Sequence, residues 1–225
     1  MHFPESFNNK YSSLKDSINI NIYNEIQDYN FQNGTPSDSP HGTYADRLLS
    51  LAYGVLQEEG VIEAAPGPLH LAIWIVDDYY IAELNEKFMD HVGPTDVLSF
   101  PVDGRPPNTY RHVYYPDPPA TSPATSPANG LLFLPKPSSY DDVVPWVLGD
   151  IFICPHQAEL NAIEHDLEKN DEIALLLVHG ILHILGMDHE LDAEAEVMEA
   201  LEQELLDKFW YTHQTPPHQT PPHQT

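Results

Sequence analysis

The stretch DEIALLLVHGILHIL, Asp171 to Leu185, which runs on as GMDH to His189, decides how the rest of the chain is arranged. It is apolar nearly all round, as ALLLV and IL show. A helix here has no face to give to water and is predicted to be the buried centre of the fold. Three histidines punctuate it, His179, His183 and His189, at spacings of four and six. Residues at i and i+4 share one helix face with Cβ atoms about 5–6 Å apart, so His179 and His183 can grip one ion. Gly186 ends the helix and lets the chain turn back, bringing His189 round as a third ligand. Three imidazoles on a zinc-like ion leave a fourth position open, the pattern of a catalytic rather than a closed structural site. Such an ion carries an activated water. For a lone histidine, a place in the core or on a helix surface is the ordinary reading. Three of them around a glycine point instead to one metal per chain.

The spacing HxxxHxxGxxH is also that of a zinc-peptidase class whose pattern is HExxHxxGxxH, with Glu as general base. Here that position is Gly180. A glycine takes no proton from a bound water, so peptide hydrolysis by that route lacks its base. The nearest carboxylate is Asp188, beside the third histidine. It suits either a partner or proton acceptor at the metal or a cap on the turn after Gly186, and the sequence does not choose between them.

With these residues in view, the chain resembles the YbeY-type endoribonucleases of ribosomal RNA maturation. The family signature HGxLHLxGxDH is met by HGILHILGMDH, with isoleucine for one leucine. LNEKFMDHVGPTDVLSFP, Leu84 to Pro101, resembles the family's substrate-groove segment, LGDIFIC, Leu148 to Cys154, its following strand, and EAEVMEALEQELL, Glu194 to Leu206, its last helix. The resemblance covers roughly residues 17 to 211 apart from one insertion. Many members carry an arginine, linked to catalysis or RNA binding, where this chain has Met89. A branch with FMD and GPTDVLSFP, like the actinobacterial forms, has methionine there, and this chain resembles that branch. The substitution removes the obvious cationic partner for a phosphate. Lys87 is the nearest replacement, although a solvated helix lysine is its ordinary role.

The resemblance implies a metal-dependent endoribonuclease of ribosomal RNA maturation and ribosome quality control, acting on single strands within structured RNA, with Zn²⁺ on His179, His183 and His189. Asn85, Lys87, Thr95 and Ser99 are the groove candidates, since polar side chains bracketing a strand meet phosphate and sugar oxygens. Turn capping for Thr95 and strand-edge hydrogen bonding for Ser99 are the competing roles. The expected partners are ribosomal RNA or the ribosomal particle, and a ribosomal or GTPase protein. Two other functions stay open: a non-catalytic ribosome-assembly factor that keeps zinc for folding, and a zinc hydrolase of peptides or amides.

Composition sets further bounds. The chain of 225 residues suffices for one domain with a sizeable core. Its single cysteine, Cys154, excludes an internal disulfide and suits a reduced, cytoplasmic setting. No apolar stretch approaches the roughly 18 residues that cross a bilayer, and the N-terminus lacks a signal-peptide pattern. Nine Lys and Arg against 35 Asp and Glu give a net charge of −26, with no basic stripe of the kind that displaces counterions from phosphates. Acidic residues concentrate in Glu159 to Asp171 and Glu190 to Asp207, both readable as solvated helix faces. RNA would then be held by the metal, local lysines and hydrogen bonds, or through a partner that supplies positive charge.

Periodicity predicts strands at Ile18 to Tyr23, Leu69 to Val76, Asp96 to Val102 and Leu148 to Cys154. It predicts helices from Thr43, as cap, to about Glu59, with Leu48, Leu49, Ala52, Val55 and Leu56 inward, from about Tyr79 to Met89, and from Pro155, a favourable first-turn residue. A last helix, Asp192 to Phe209, is expected to bury Val197, Leu201, Leu205 and Phe209. The expected fold is α+β (α/β), which the family resemblance refines to a single small mixed sheet flanked by helices. Residues 1–16 read as an N-terminal extension and 17–211 as the endoribonuclease domain. Within it, 103–145 is a Pro-rich insertion with ten prolines and the near-repeat TSPATSPA. The 212–225 tail, with its HQTPP repeat, reads as disordered.

Overall fold

The computed structural model describes residues 18–26, 43–65, 67–102, 146–189 and 191–213. The N-terminal extension, the Pro-rich insertion and the HQTPP repeats beyond His213 lie outside the described residues. A four-stranded sheet has the order β1-β2-β4-β3, from β1 (Ile18–Asn24), β2 (Leu69–Ile75), β3 (Val97–Pro101) and β4 (Trp146–Ile153). The first three strands in that order are parallel, and β3 pairs antiparallel to β4 at one edge. This is the mixed α+β sheet expected.

Alternation in β2 shows how the sheet divides its faces. Leu69, Leu71, Ile73 and Ile75 are fully buried on one face, while His70, Ala72 and Trp74 are half-buried on the other. Against the buried face lies α5 (Lys169–Ile184), ten of whose sixteen residues are buried. It is the central helix that its composition required. Around it pack α1 (Tyr44–Glu58), α4 (Pro155–His165) and α6 (Asp192–Phe209), and the short α2 (Val61–Ala64) packs on α1. The remaining helix, α3 (Asp78–Met89), leads into β3.

Local chemistry sets the ends of these elements. Thr43 and Asp46 form a capping box at the start of α1, with Asp46 N–H donating to Thr43 Oγ1 at 3.2 Å and Thr43 N–H to Asp46 Oδ2 at 2.8 Å. Pro155 takes the first position of α4, where its missing N–H costs nothing. Strand β4 begins at Trp146, two residues ahead of expectation, because Trp146 N–H donates to Pro68 O at 2.7 Å and extends the ladder with β2.

One helix face differs from the sequence reading. In α6 the buried residues are Met198, Leu201, Glu202, Leu205 and Leu206, with Phe209 half-buried, whereas Val197 is 54% exposed. Val197 is one residue out of phase with the stripe 198, 201, 205, and a single position turns a side chain about 100° round a helix. Cys154 is fully buried, and burial, reinforced by Asp78, raises its thiol pKa, so it packs as a small hydrophobe. Among the described residues no helix is long and apolar enough to cross a membrane. The 3₁₀ turn Tyr211–His213 reaches into the expected tail, with Thr212 Oγ1 donating to Lys208 O at 3.0 Å.

Candidate metal centre

Helix α5 ends in a Schellman turn, which follows from Gly186. Its φ of 93° lies in the left-handed region that glycine enters without strain. Gly186 N–H donates to His183 O at 2.9 Å and Met187 N–H to Leu182 O at 3.0 Å. The chain therefore doubles back over its last turn, and His189 meets the two helical histidines. Ring centroids stand 4.4 Å apart for His179 and His183, 5.0 Å for His183 and His189, and 5.3 Å for His179 and His189. One nitrogen from each ring lies within 4.8 Å of the other two.

The hydrogen bonds around the rings show what this cluster can hold. His179 Nδ1–H donates to Glu202 Oε1 at 2.7 Å, and His183 Nδ1–H to Met187 O at 3.0 Å. A carbonyl and a carboxylate only accept, so both Nδ1 atoms carry a proton, and in its neutral form each ring turns a bare Nε2 inward. Those two Nε2 atoms face each other at 2.9 Å. Two lone pairs at that distance repel unless a positive charge lies between them. Zn–N bonds of about 2.0–2.1 Å with tetrahedral angles place nitrogens roughly 3.4 Å apart, a small outward shift from the observed spacing. The donor set fits a zinc-like ion. Burial, followed by the neighbouring His179 ring, holds His183 below the ordinary imidazole pKa and favours its neutral, ligating form.

A groove of about 340 Å³ opens beside the histidines, lined on one side by His179, His183 and Asp188 and on the other by Met89, Val97, Ser99 and Pro101. Ser99 and Asp188 are thus the expected residues that the fold brings to the cluster. Asp188 is exposed, and its Oδ1 accepts from His189 N–H at 2.8 Å, so it also shapes the turn. Thr95 lies earlier on the β3 approach and donates to Asp96 Oδ1 at 3.0 Å. Asn85 is 7% exposed and spends its Nδ2 on Gly93 O at 2.9 Å, closing the loop after α3. Lys87 lines a different cavity, with Tyr80, Glu83, Leu84 and Glu86. Its Nζ sits 4.8 Å from the Phe88 ring centroid. Met89 is 40% exposed on the groove wall.

Glu202 is the residue the sequence reading missed. It belongs to the acidic run taken for a solvated face, yet it is 7% exposed and holds His179. The available signal was its phase: 202 falls on the stripe of Met198, Leu201, Leu205 and Leu206. A carboxylate on an apolar stripe demands a partner. Gly180, by contrast, has no room for a side chain, since a Cβ there would press on Ile151 and Ser99.

Residues 38–210 match the family model described as Endoribonuclease YbeY. A protein of that description from Acidothermus cellulolyticus is 41% identical over 161 residues, covering 71% of this chain and 80% of its own length. One from Mycobacterium sp. (strain KMS) is 35% identical over 169 residues, 75% of this chain and 77% of its own. A third, from Micrococcus luteus, is 35% identical over 163 residues, 72% and 82% respectively. All three sources are actinobacterial, as the Met89 branch implied. A solution structure from Thermotoga maritima aligns over 90% of this chain and 99% of its own at 20% identity, with a TM-score of 0.43, too low to weigh on the fold.

Proposed function

Because the chain belongs to the Endoribonuclease YbeY family, we propose that it is a metal-dependent endoribonuclease that cleaves single-stranded segments of structured ribosomal RNA during maturation and quality control, with one zinc ion on His179, His183 and His189. The observation that carries this reading is the pair of inward Nε2 atoms at 2.9 Å, each fixed from behind by an acceptor and joined by His189. When bound, the ion supplies a Lewis acid for a phosphodiester and an activated water. The chain's own residues supply the rest. His179 and His183 present lone pairs from rings that cannot rotate without breaking a hydrogen bond. Asp188, a carboxylate on the groove wall, is placed to take the proton released in hydrolysis. Ser99, on the opposite wall, offers a hydroxyl to a phosphate oxygen. Asn85 and Thr95 act on the groove through the loop and strand approach they brace, and Lys87, two residues before Met89 on α3, is the lysine nearest to it in the chain.

Among the described residues lining the groove, none is Lys or Arg. With a net charge of −26, the chain meets its substrate on the ribosomal particle or beside a basic ribosomal or GTPase partner, and the setting that goes with this reading is the cytoplasm. The test is cleavage of a structured ribosomal RNA fragment by protein stripped with a chelator and then returned to zinc. Cleavage should vanish on stripping and return with the ion. Equal cleavage by stripped and loaded protein would refute the reading.

A further inference from the structure

We propose that Glu202 is a positioning residue for the metal centre, and that through it the docking of α6 and the binding of the ion are one coupled event. The proposal rests on the reading of His179, His183 and His189 as metal ligands.

The two helical histidines are held in different ways. His183 is oriented locally, by the Met187 carbonyl in the turn that follows it. His179 is oriented by a residue 23 positions later, on another helix. That bond, at 2.7 Å, has the length of a charge-assisted contact. It fixes the tautomer that leaves Nε2 bare and aims it at the site. Nothing in helix packing asks for a carboxylate there, since the rest of the buried stripe on α6 is Met198, Leu201, Leu205 and Leu206. A leucine at 202 would continue the stripe.

The energetics point the same way. Glu202, 7% exposed, has given up most of its hydration and directs its carboxylate at the His179 ring. A divalent cation on the far nitrogen polarises the ring, strengthens its N–H as a donor and supplies the missing positive charge. Glu202 therefore favours the metal-bound protein over the metal-free one. Coupling of this kind is reciprocal: the ion tightens α6 against the core as much as docked α6 tightens the ion.

Zinc affinity, measured by competition with a chromophoric chelator, should fall about 10–100-fold in Glu202→Leu. The rise in melting temperature on adding zinc should be smaller in the variant than in wild type. Glu202→Gln keeps an acceptor and should fall between, with the His179 ring nitrogens retaining their wild-type ¹⁵N shifts. It also serves if the leucine variant does not fold. Hydrogen exchange along α6 in wild type should slow when zinc is added. Zinc affinity within twofold of wild type in Glu202→Leu, or in Glu202→Gln should the leucine variant not fold, would overturn the positioning role while leaving the three-histidine site intact. Wild type that binds no zinc would overturn both.

Discussion

Gly180 of α5 touches Ile151 of β4 so closely that a Cβ on residue 180 would stand 2.9 Å from Ile151 Cγ2 and 3.0 Å from Ser99 Oγ. The helix that carries the histidines approaches the sheet at the position where the zinc-peptidase pattern keeps its glutamate. A side chain at position 180 would crowd Ile151 and the groove residue Ser99, so peptide hydrolysis lacks both the base and the space for one.

The first prediction follows from that contact. Gly→Ala inside a helix gains up to about 1 kcal/mol of propensity, but overpacking against a β-branched side chain costs about 1–3 kcal/mol. Packing wins, so Gly180→Ala should lose roughly 1 kcal/mol in urea unfolding. Gly180→Glu should lose more and gain no peptidase activity. An alanine variant more stable than wild type would show that the approach is looser than described.

Met89 gives the second. It lines the groove without a charge, and binding of naked single-stranded RNA should be weak with a shallow salt dependence, since each phosphate neutralised contributes a slope of about −0.7. Met89→Arg should tighten binding and steepen the log–log slope by somewhat less than one. Isotherms across a salt series read both effects. A steep wild-type slope, or no response to the arginine, would contradict this account of the groove.

Third, Glu172 should make stability pH-dependent. It is 2% exposed, and its Oε2 has no hydrogen-bond partner among the described residues. Burial, with Asp96 adding to it, raises its pKa above the ordinary 4.5, against the opposing pull of His165 and Asn161. A carboxyl with a raised folded-state pKa stabilises fully below its unfolded value and loses that contribution as pH rises through the folded one. Glu172→Gln, which cannot ionise, should therefore gain on wild type between pH 4 and pH 8. Unfolding midpoints at the two pH values test it, and an unchanged difference would refute it.

How much of this was legible in the sequence depended on distance along the chain. The histidine trio lies within eleven residues around one glycine, and helix geometry alone brings it together. Alternation in LHLAIWIV and the Thr43 cap were equally local, and both elements appear where expected. The partner of His179 was not legible, because a tertiary contact between α5 and α6 selects Glu202 from a run rich in carboxylates. The same run hid the phase of α6, so Val197 stood in for Met198. Asn85 read as a groove residue because nothing local reveals that the chain returns to place Gly93 O against its amide.

The central claim is that His179, His183 and His189 hold one divalent ion and that this ion is needed for RNA cleavage. Metal content by elemental analysis, on wild type and His183→Ala purified without added metal and assayed on the same RNA, tests it most directly. The account predicts about one zinc per wild-type chain with cleavage, and loss of both in a folded His183→Ala. Zinc retained at full stoichiometry by the variant, or cleavage undiminished without it, would contradict the account.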